Sequence, residues 1–380
     1  MKKIAILADF PLQFLKSFAS GLDQRNHYAT WLPQLSESFA DQKDFQISWV
    51  ILTRMLQEER VLSQWNQTFH VIPTMKSNRF RGIYRKDRAA LKKILQKLNP
   101  DLVHGWGSED LYGWAAVTSG RPNIYSCQGL LSHYVLKARM HPKNYFHALM
   151  ELYVLNKAQV ITTESAWAKE KIKHRTWGKD IRVIEYGVSP QFLVETNTPN
   201  RTNPYALFVG HADYRKGIDF AVRIFSRPEL SKYSLKVCGK VPTATEKYLK
   251  GGPKNIDWLG RQTEAETRLL MKNATFLLLP TRADTGPTVA KEARAMGLPV
   301  VASPHGGHTA FIISGETGVI LPLNKVELWV DACLSFLQDE QLGIRMGRAN
   351  LASDKNKLSP SKTASSFLEL YLEILFGTKK

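Results

Sequence analysis

The stretch LLLPTRADTGPTVAKEARAMGLPVVAS, residues 277–303, predicts a strand, a loop, a helix and a second strand in that order. Pro287 has the fixed φ that suits the first position of a helix, Gly297 is placed to end that helix, and Pro299 prevents its continuation. A strand, a helix and another strand in succession indicate a βαβ unit and therefore a parallel sheet.

The start of this predicted helix is a candidate anion site. The backbone N–H groups of Thr288 and Val289 have no carbonyl partner within the helix, so they point out of its N-terminus. A pyrophosphate bound there gains from these donors and from the helix dipole.

Glu292 lies in the same helix, where its carboxylate needs a partner. We expect an apolar stripe on one side of the helix and basic residues on the other: Val289, Ala293 and Met296 form the stripe, and Lys291 and Arg294 lie opposite. Glu292 falls beside the stripe, and an inward-facing carboxylate is costly unless it is paired. Two kinds of partner remain open, the hydroxyl groups of a ribose or a neighbouring Arg or Lys.

The alternation of strands and helices extends over the whole chain and predicts two parallel sheets. The predicted strands of the first half are 4–7, 46–52, 70–72, 102–104, 123–126, 160–163 and 183–185. After a polar linker, the series restarts with predicted strands at 206–209, 235–238, 256–259, 276–279, 300–302 and 319–321.

A length of 380 residues exceeds what one hydrophobic core usually organises, so we expect two domains. We place an N-terminal domain at 1–195 and a C-terminal domain at 196–355. The terminal segment 356–380 contains a predicted amphipathic helix at 361–377, expected to pack back toward the N-terminal domain. The carboxyl ends of the two sheets then face a cleft, where ligands of doubly wound folds bind.

Several motifs, taken together, resemble those of one family. In DTGPTVAKE, seven residues separate Asp284 from Glu292. Further matching stretches follow the family's order: LFVGHADYRKGID (207–219), LKVCGK (235–240), IDWLGR (256–261) and HGGHTAFIISGETGVILP (305–322). The chain thus resembles the family 4 retaining glycosyltransferases, whose motif is E-x7-E. The resemblance implies an α/β protein of the GT-B type, with two Rossmann-like doubly wound domains facing a central cleft. It further implies that the N-terminal domain, 1–195, binds the acceptor and that the C-terminal domain, 196–355, binds the sugar nucleotide.

The resemblance implies a role for each residue that matches a family motif. Asp284 would contact hydroxyls of the donor sugar, Lys216 would hold the pyrophosphate, and Glu292 would bind the ribose; these three form the expected catalytic set. The other expected donor-binding residues are Gly210, His211, Arg215, Gly286, Pro287, Thr288, Val289 and, from the first half, Gln128. A lysine and helix amides aimed at the departing diphosphate stabilise its growing charge, so no metal is expected.

The sequence departs from the family pattern at several of these positions. Asp284 stands where the family usually has Glu, so its carboxylate is one methylene shorter. His211 stands where an Arg commonly neutralises pyrophosphate, and Arg215 and Arg282 are candidate substitutes. Gln128 stands in for a histidine, so we expect it to position the donor sugar without exchanging a proton.

The net charge of +18 indicates anionic partners without choosing among them. The densest basic stretch, residues 76–97, holds nine Lys or Arg and one acid, with Phe80 and Tyr84 interleaved. A solvated helix face and an anionic membrane surface both remain open. No signature of a nucleic-acid-binding fold accompanies the charge, so we expect no nucleic-acid partner.

Three features of the sequence favour a cytoplasmic setting. No apolar run approaches the roughly 20 residues of a membrane-spanning helix. The start, MKKIAILADFPLQF, breaks at Asp9 and predicts a first strand rather than a signal peptide. The three cysteines are odd in number and far apart, which supports neither a disulfide framework nor a metal cluster. We therefore expect a cytoplasmic protein, peripheral on the inner face of the membrane if the basic stretch binds lipid.

These expectations combine into one favoured function. It is transfer of a hexose, with retention, from a UDP- or GDP-sugar to a glycan or lipid-linked acceptor in cell-surface polysaccharide or glycolipid synthesis, with no metal or other cofactor. Two other interpretations remain open: a sugar-nucleotide 2-epimerase of the same fold, and a catalytically weak sugar-nucleotide-binding module.

Overall fold

The computed structural model describes residues 1–22, 29–74, 84–107, 111–138, 140–194, 203–246, 251–351 and 355–377. Two sheets form its framework. The strands of the first sheet are β1 (Lys2–Leu7), β2 (Phe45–Thr53), β3 (Arg60–Gln64), β4 (Gln67–Pro73), β5 (Leu102–Trp106), β6 (Asn123–Cys127), β7 (Val160–Thr163) and β8 (Asp180–Val183). The strands of the second sheet are β9 (Tyr205–Val209), β10 (Ser234–Cys238), β11 (Ile256–Gly260), β12 (Phe276–Leu279), β13 (Val300–Ala302) and β14 (Gly318–Ile320).

Helices connect these strands. Those of the first half are α1 (Trp31–Ser38), α2 (Arg85–Leu98), α3 (Tyr112–Val117), α4 (Leu131–Lys137), α5 (Lys143–Lys157), α6 (Ala166–Lys173) and α7 (Pro190–Leu193). Those that follow are α8 (Ile218–Phe225), α9 (Glu264–Asn273), α10 (Thr288–Ala295), α11 (Val326–Gln338), α12 (Glu340–Leu351) and α13 (Pro360–Phe376).

The strand orders confirm the predicted α/β class with two parallel-sheet domains. The second sheet has the order β11-β10-β9-β12-β13-β14 with every pair parallel. The first has the order β3-β4-β2-β1-β5-β6-β7-β8, and only the β3–β4 pair is antiparallel. In both sheets the direction of winding reverses beside the first strand, which is the topological switch point where such folds bind ligands.

Two sequence predictions of strands were wrong at the edges of the first sheet. The strand at Arg60–Gln64 was missed because its side chains are largely exposed, so it shows no apolar run. The strand predicted at 183–185 lies earlier, at Asp180–Val183, where only Ile181 is buried. Both are edge strands with few buried side chains, so they lack the apolar run that reveals a central strand.

Side chains of the central strands alternate between two cores, one on each face of each sheet. From β1, Ile4 and Ile6 enter one core, while Ala5 and Leu7 enter the other. From β9, Phe208 and Leu207 likewise point into different cores. This period of two requires helices on both faces and explains why these strands are almost wholly apolar.

The last helix, α13, packs against the first sheet. Its Phe367, Leu370 and Tyr371 are buried in the core that contains Ile4 and Ile6. Tyr371 also hydrogen-bonds to Nδ1 of His104 in β5, at 2.8 Å. The chain therefore returns to its first half after completing the second sheet.

The switch point of the second sheet brings two loops together. The loop after β9 and the loop after β12 leave neighbouring strands at the same edge. Gly217, with φ +81°, allows their close approach, since a Cβ there would lie 1.9 Å from the carbonyl oxygen of Pro280. The residues predicted at 210–216 and 284–292 are thereby placed at one site.

Candidate active site

A cavity of about 250 Å³ lies at the switch point of the second sheet. Its lining includes six residues that the sequence predicts for donor binding or catalysis: Gly210, Lys216, Pro287, Thr288, Val289 and Glu292. Trp31, from the first half, lines the same cavity, as do Glu264 and Thr267 from α9. The sequence motifs gave no signal for these last three residues.

The start of α10 forms one wall of the cavity. Pro287 is the N-cap residue, with φ −65° and ψ 116°, rather than the first helical residue that the sequence predicted. The helix therefore begins one residue later than predicted, at Thr288. Thr288 and Val289 are then the first two helical residues, and their N–H groups are those without carbonyl partners inside the helix. Gly297, in the left-handed region at φ +69°, ends the helix as expected.

Glu292 faces this cavity without a charged partner. Within the described part of the chain, neither a Lys nor an Arg forms an ion pair with it, so the second of the two partners that the sequence left open is not observed. Burial raises the pKa of Glu292 to about 8, and nearby Glu264 adds to the shift. The carboxyl group is thus available to a ligand that offers hydrogen-bond donors.

Asp284 has the opposite environment. Burial alone would raise its pKa, but Lys216 and Arg215 hold the pKa well below its usual range. Lys216 Nζ donates a short hydrogen bond to Asp284 Oδ2, and Arg215 Nη1 lies 3.1 Å from the same oxygen. Asp284 is therefore ionised between two cations.

The two arginines proposed as substitutes differ in their environments. Arg215 lies beside Asp284, and its guanidinium is 5.1 Å from the centre of the Tyr134 ring. Arg282 instead forms two bonds to Asp219, at 2.7 and 2.8 Å. Both guanidinium groups pair with a carboxylate, but only Arg215 pairs with Asp284 and so lies beside the predicted sugar-binding acid.

His211 follows Gly210 in the loop after β9. Partial burial lowers the pKa of its imidazole, although Asp213 opposes the shift. The lowered pKa favours the neutral imidazole, which compensates negative charge less than an arginine would.

The first half of the chain contacts the loop after β12 at Thr285. The hydroxyl of Tyr134 accepts a hydrogen bond from the Thr285 N–H at 2.9 Å, and the carbonyl of Gln128 accepts one from its hydroxyl at 2.5 Å. Ser165 donates to the Thr285 carbonyl, also at 2.5 Å. The side-chain Oε1 of Gln128 is buried without a partner among the described residues, as a group reserved for a ligand donor would be.

Lys291 is buried, which the helix pattern did not predict. The pattern placed Lys291 only on the side opposite the apolar stripe, and in the structure it is fully buried, with its Nζ 3.0 Å from Oε2 of Glu164. The side of α10 opposite its apolar stripe packs against the first half rather than facing solvent. Glu164 was missed because a single acid after a strand, in VITTES, has no sequence signal that links it to a helix 127 residues later.

The described residues contain no group of three or more His, Cys, Asp or Glu side chains arranged to hold a metal ion. Their helices are all too short or too polar to cross a bilayer.

Two family models together match most of the chain. The model for Glycosyltransferase Family 4 matches residues 13–192, and the model for Glycosyl transferases group 1 matches residues 191–352. An uncharacterized glycosyltransferase of Methanocaldococcus jannaschii is 25% identical over 317 residues, which is 81% of this chain and 86% of that protein. A D-inositol 3-phosphate glycosyltransferase of Corynebacterium efficiens is 29% identical over 178 residues, 44% of this chain and 42% of that protein.

Solved structures of similar fold cover the chain from end to end. A sucrose-phosphate synthase from Thermosynechococcus elongatus has a TM-score of 0.80 at 16% identity, covering 100% of both chains. HepE from Anabaena, in complex with UDP-glucose, has a TM-score of 0.71 at 14% identity, covering 98% of this chain and 99% of its own. These likenesses show the GT-B fold.

Proposed function

Because the chain belongs to the family 4 glycosyltransferases, we propose that it transfers a hexose from a UDP- or GDP-sugar to a glycan or lipid-linked acceptor. We further propose that the reaction retains the anomeric configuration and requires no metal. The product would enter a cell-surface polysaccharide or glycolipid.

One observation carries this proposal: a single cavity is lined by a lysine, a helix N-terminus and a carboxyl group that has no ion-pair partner among the described residues. Glu292, Lys216 and Thr288 all contribute to its wall. A ribose diol donates to a carboxylate, while a diphosphate accepts from an ammonium group and from helix amides. HepE, a protein of the same fold, is known in complex with UDP-glucose, which supports a sugar nucleotide as the occupant.

In this proposal the donor sugar contacts Asp284 and Gln128, neither of which lines the cavity itself. Asp284 accepts hydrogen bonds only, and the buried Oε1 of Gln128 needs a donor. Sugar hydroxyls supply donors to both groups. Gly286 and Arg215 complete this end of the site, since both contact the Asp284 carboxylate.

The proposed chemistry places little demand on protein bases. The bond between the anomeric carbon and the diphosphate breaks while the acceptor oxygen bonds to the same face, and the departing phosphate oxygen takes the acceptor proton. Lys216 and the N–H groups of α10 stabilise the charge that grows on the leaving group. In this proposal these groups compensate the charge that a metal ion would otherwise compensate, so no metal is needed. We therefore expect chelators to leave the rate unchanged.

Incubation with a panel of UDP- and GDP-hexoses tests the function. A transferase releases the nucleoside diphosphate slowly even without acceptor, and excess EDTA should not change that rate. Conversion of the sugar while it is still attached to nucleotide would identify the 2-epimerase instead. If neither reaction occurs but the nucleotide raises Tm, the chain is a binding module. Proton NMR of the transfer product then reports whether configuration is retained.

We also propose an anionic membrane surface as a partner, at the cytoplasmic face. Of the basic stretch 76–97, residues 76–83, including Phe80, lie outside the described residues. The rest forms α2, which buries Leu91 and Ile94 and exposes its lysines and arginines. Between α2 and α3 lies a groove of about 660 Å³, lined by cations and by Trp114. Sedimentation with vesicles of graded anionic content tests this partner, and equal binding to neutral and anionic vesicles would reject it.

A further inference from the structure

Glu164 and Lys291 form a buried ion pair between the two halves of the chain. Glu164 directly follows β7 of the first sheet, and Lys291 belongs to α10 beside the second. Lys291 Nζ lies 3.0 Å from Glu164 Oε2 and donates a second bond, at 2.6 Å, to the carbonyl of Tyr186. Lys291 is 0% exposed and Glu164 is 4% exposed, so both charges are almost entirely removed from water.

Stability alone gives little reason for such a pair. Removing two charges from water costs about as much as their attraction returns, and apolar side chains of similar volume often stabilise a protein as well or better. The pair instead constrains geometry, because the Lys291 ammonium group must lie within hydrogen-bond distance of both Glu164 and the Tyr186 carbonyl. A pair at this place therefore defines one relative position of α10 and the first half.

The carboxyl group of Glu164 also rests on the turn that carries Asp284. A Cβ added to Gly286 would lie 2.5 Å from both Cγ and Cδ of Glu164. The Gly286 N–H lies 3.3 Å from Asp284 Oδ1, so the backbone that Glu164 contacts also holds the proposed sugar-binding carboxylate. The neighbouring Ser165 bonds to the same turn through the carbonyl of Thr285.

Lys291 connects this contact to the other end of the proposed donor site. It directly precedes Glu292 and lies three residues after Thr288, at the start of α10. Displacement of Lys291 would move the proposed ribose and diphosphate contacts together. Through the 284–286 turn and α10, the pair contacts the elements that form the sugar end and the nucleotide end of the proposed site. Neither Glu164 nor Lys291 lines the cavity itself.

We propose that Glu164 and Lys291 are a positioning pair, which holds the 284–286 turn and α10 in the register that the donor requires. The inference rests on the proposed function insofar as that turn and that helix hold a sugar nucleotide. Neither residue is assigned contact with the donor or a part in the bond-breaking step.

A set of three variants separates positioning from stability. Glu164→Gln and Lys291→Met each leave one buried charge without its partner, and we expect Tm to fall by at least about 5 °C in both. In the double variant Glu164→Leu/Lys291→Met no charge is left, so Tm should return to within about 2 °C of the unchanged protein. Glu373→Gln is the matched control, because Glu373 pairs with Arg182 at 2.8 Å on the protein surface.

Two readouts then report on position in the double variant. Hydrogen exchange in the peptide covering 284–290 should be at least about tenfold faster than in the unchanged protein. The kcat/KM for release of nucleoside diphosphate should fall by at least about tenfold, while Kd for the free nucleoside diphosphate changes by less than about threefold. A fall in kcat/KM with a nearly unchanged Kd is expected if the 284–286 turn is displaced while the contacts to the nucleotide remain.

The pair is merely structural if the double variant recovers Tm, hydrogen exchange and kcat/KM together. The proposal also fails if the single variants keep the exchange rate and kcat/KM of the unchanged protein. If the unchanged protein neither binds nor cleaves any sugar nucleotide, the proposed function is lost, but the exchange measurement still decides whether the pair positions the turn.

Discussion

Asp284 and Glu292 lie eight residues apart, yet the protein gives their carboxyl groups opposite electrostatic environments. Asp284 lies between Lys216 and Arg215, which hold its pKa far below the usual range. Glu292 has no ion-pair partner among the described residues, and burial raises its pKa to about 8. One acid is fully ionised at neutral pH and the other largely protonated.

The difference arises from which element carries each acid. Asp284 lies in the loop after β12, directly beside the loop after β9, because those two strands are neighbours at the switch point. Glu292 lies in the first turns of α10, where burial and the like charge of Glu264 raise its pKa more than Lys291 lowers it. The sugar end of the proposed site is thus charged without a ligand, and we expect a ligand that donates hydrogen bonds to Glu292 to favour its ionised form.

Lys216→Ala should remove the difference between the two acids and cause the largest loss of activity. It removes the ammonium group that compensates Asp284 and the proposed diphosphate, so we expect kcat/KM for nucleoside diphosphate release to fall by about 100-fold. The measurement is steady-state release from the preferred sugar nucleotide, with Lys173→Ala on the exposed face of α6 as control. A loss below about threefold would remove Lys216 from the site.

Glu292→Ala should cost at least about tenfold in kcat/KM, or roughly 1.4 kcal/mol of transition-state binding. If Glu292 binds the ribose alone, the change should appear mainly in KM for the donor and in Kd for the free nucleotide. An unchanged Kd for nucleotide, measured by calorimetry, would contradict the ribose assignment even if the rate fell.

The fold was predictable because parallel sheets buried on both faces leave continuous apolar runs in the sequence. The bounds of β7, β12 and β13 agree with the sequence prediction at both ends. The loop and helix at 280–297 were also predictable, since Pro287 and Gly297 determine backbone geometry locally.

The sequence could not reveal contacts between the two halves. Lys291 and Glu164 are separated by 127 residues, and a lysine on a polar helix face ordinarily points to solvent. Likewise, nothing in the sequence distinguishes Arg282, held by Asp219, from Arg215, held at the site. Such choices depend on side-chain geometry across loops, which periodicity does not encode.

Asp284→Asn tests the ionised member of the comparison through stability. The amide leaves Lys216 and Arg215 facing a neutral group, so we expect Tm to fall by about 3–6 °C at pH 7. Because the folded-state pKa of Asp284 is lowered, its stabilisation is complete above the unfolded value of 3.8 and is lost as pH falls below it. The difference in Tm should therefore stay constant between pH 5 and 8.

Calorimetric scans across that range provide the measurement for Asp284→Asn. Asp180→Asn is the control, because Asp180 pairs with Arg182 on the surface, where each side chain is about 40% exposed. We expect that control to change Tm by less than about 1 °C. If Asp284→Asn lowered Tm no more than Asp180→Asn does, the charge of Asp284 would not be stabilising the buried Lys216 and Arg215.

Glu292→Gln gives the smallest expected effect and the opposite dependence on pH. The folded-state pKa of Glu292 is raised to about 8 from 4.5, so folding takes up a proton between these values and the unchanged protein loses stability as pH rises from 4.5 to 8. Gln resembles the protonated acid and does not titrate. The Tm of the Glu292→Gln variant should therefore equal that of the unchanged protein at pH 5 and exceed it by about 2–4 °C at pH 8.5. The control is Glu316→Gln, at an exposed glutamate, for which we expect no such dependence of the Tm difference on pH. A Tm difference that did not change with pH would mean that Glu292 is ionised in the folded protein, and the contrast with Asp284 would then disappear.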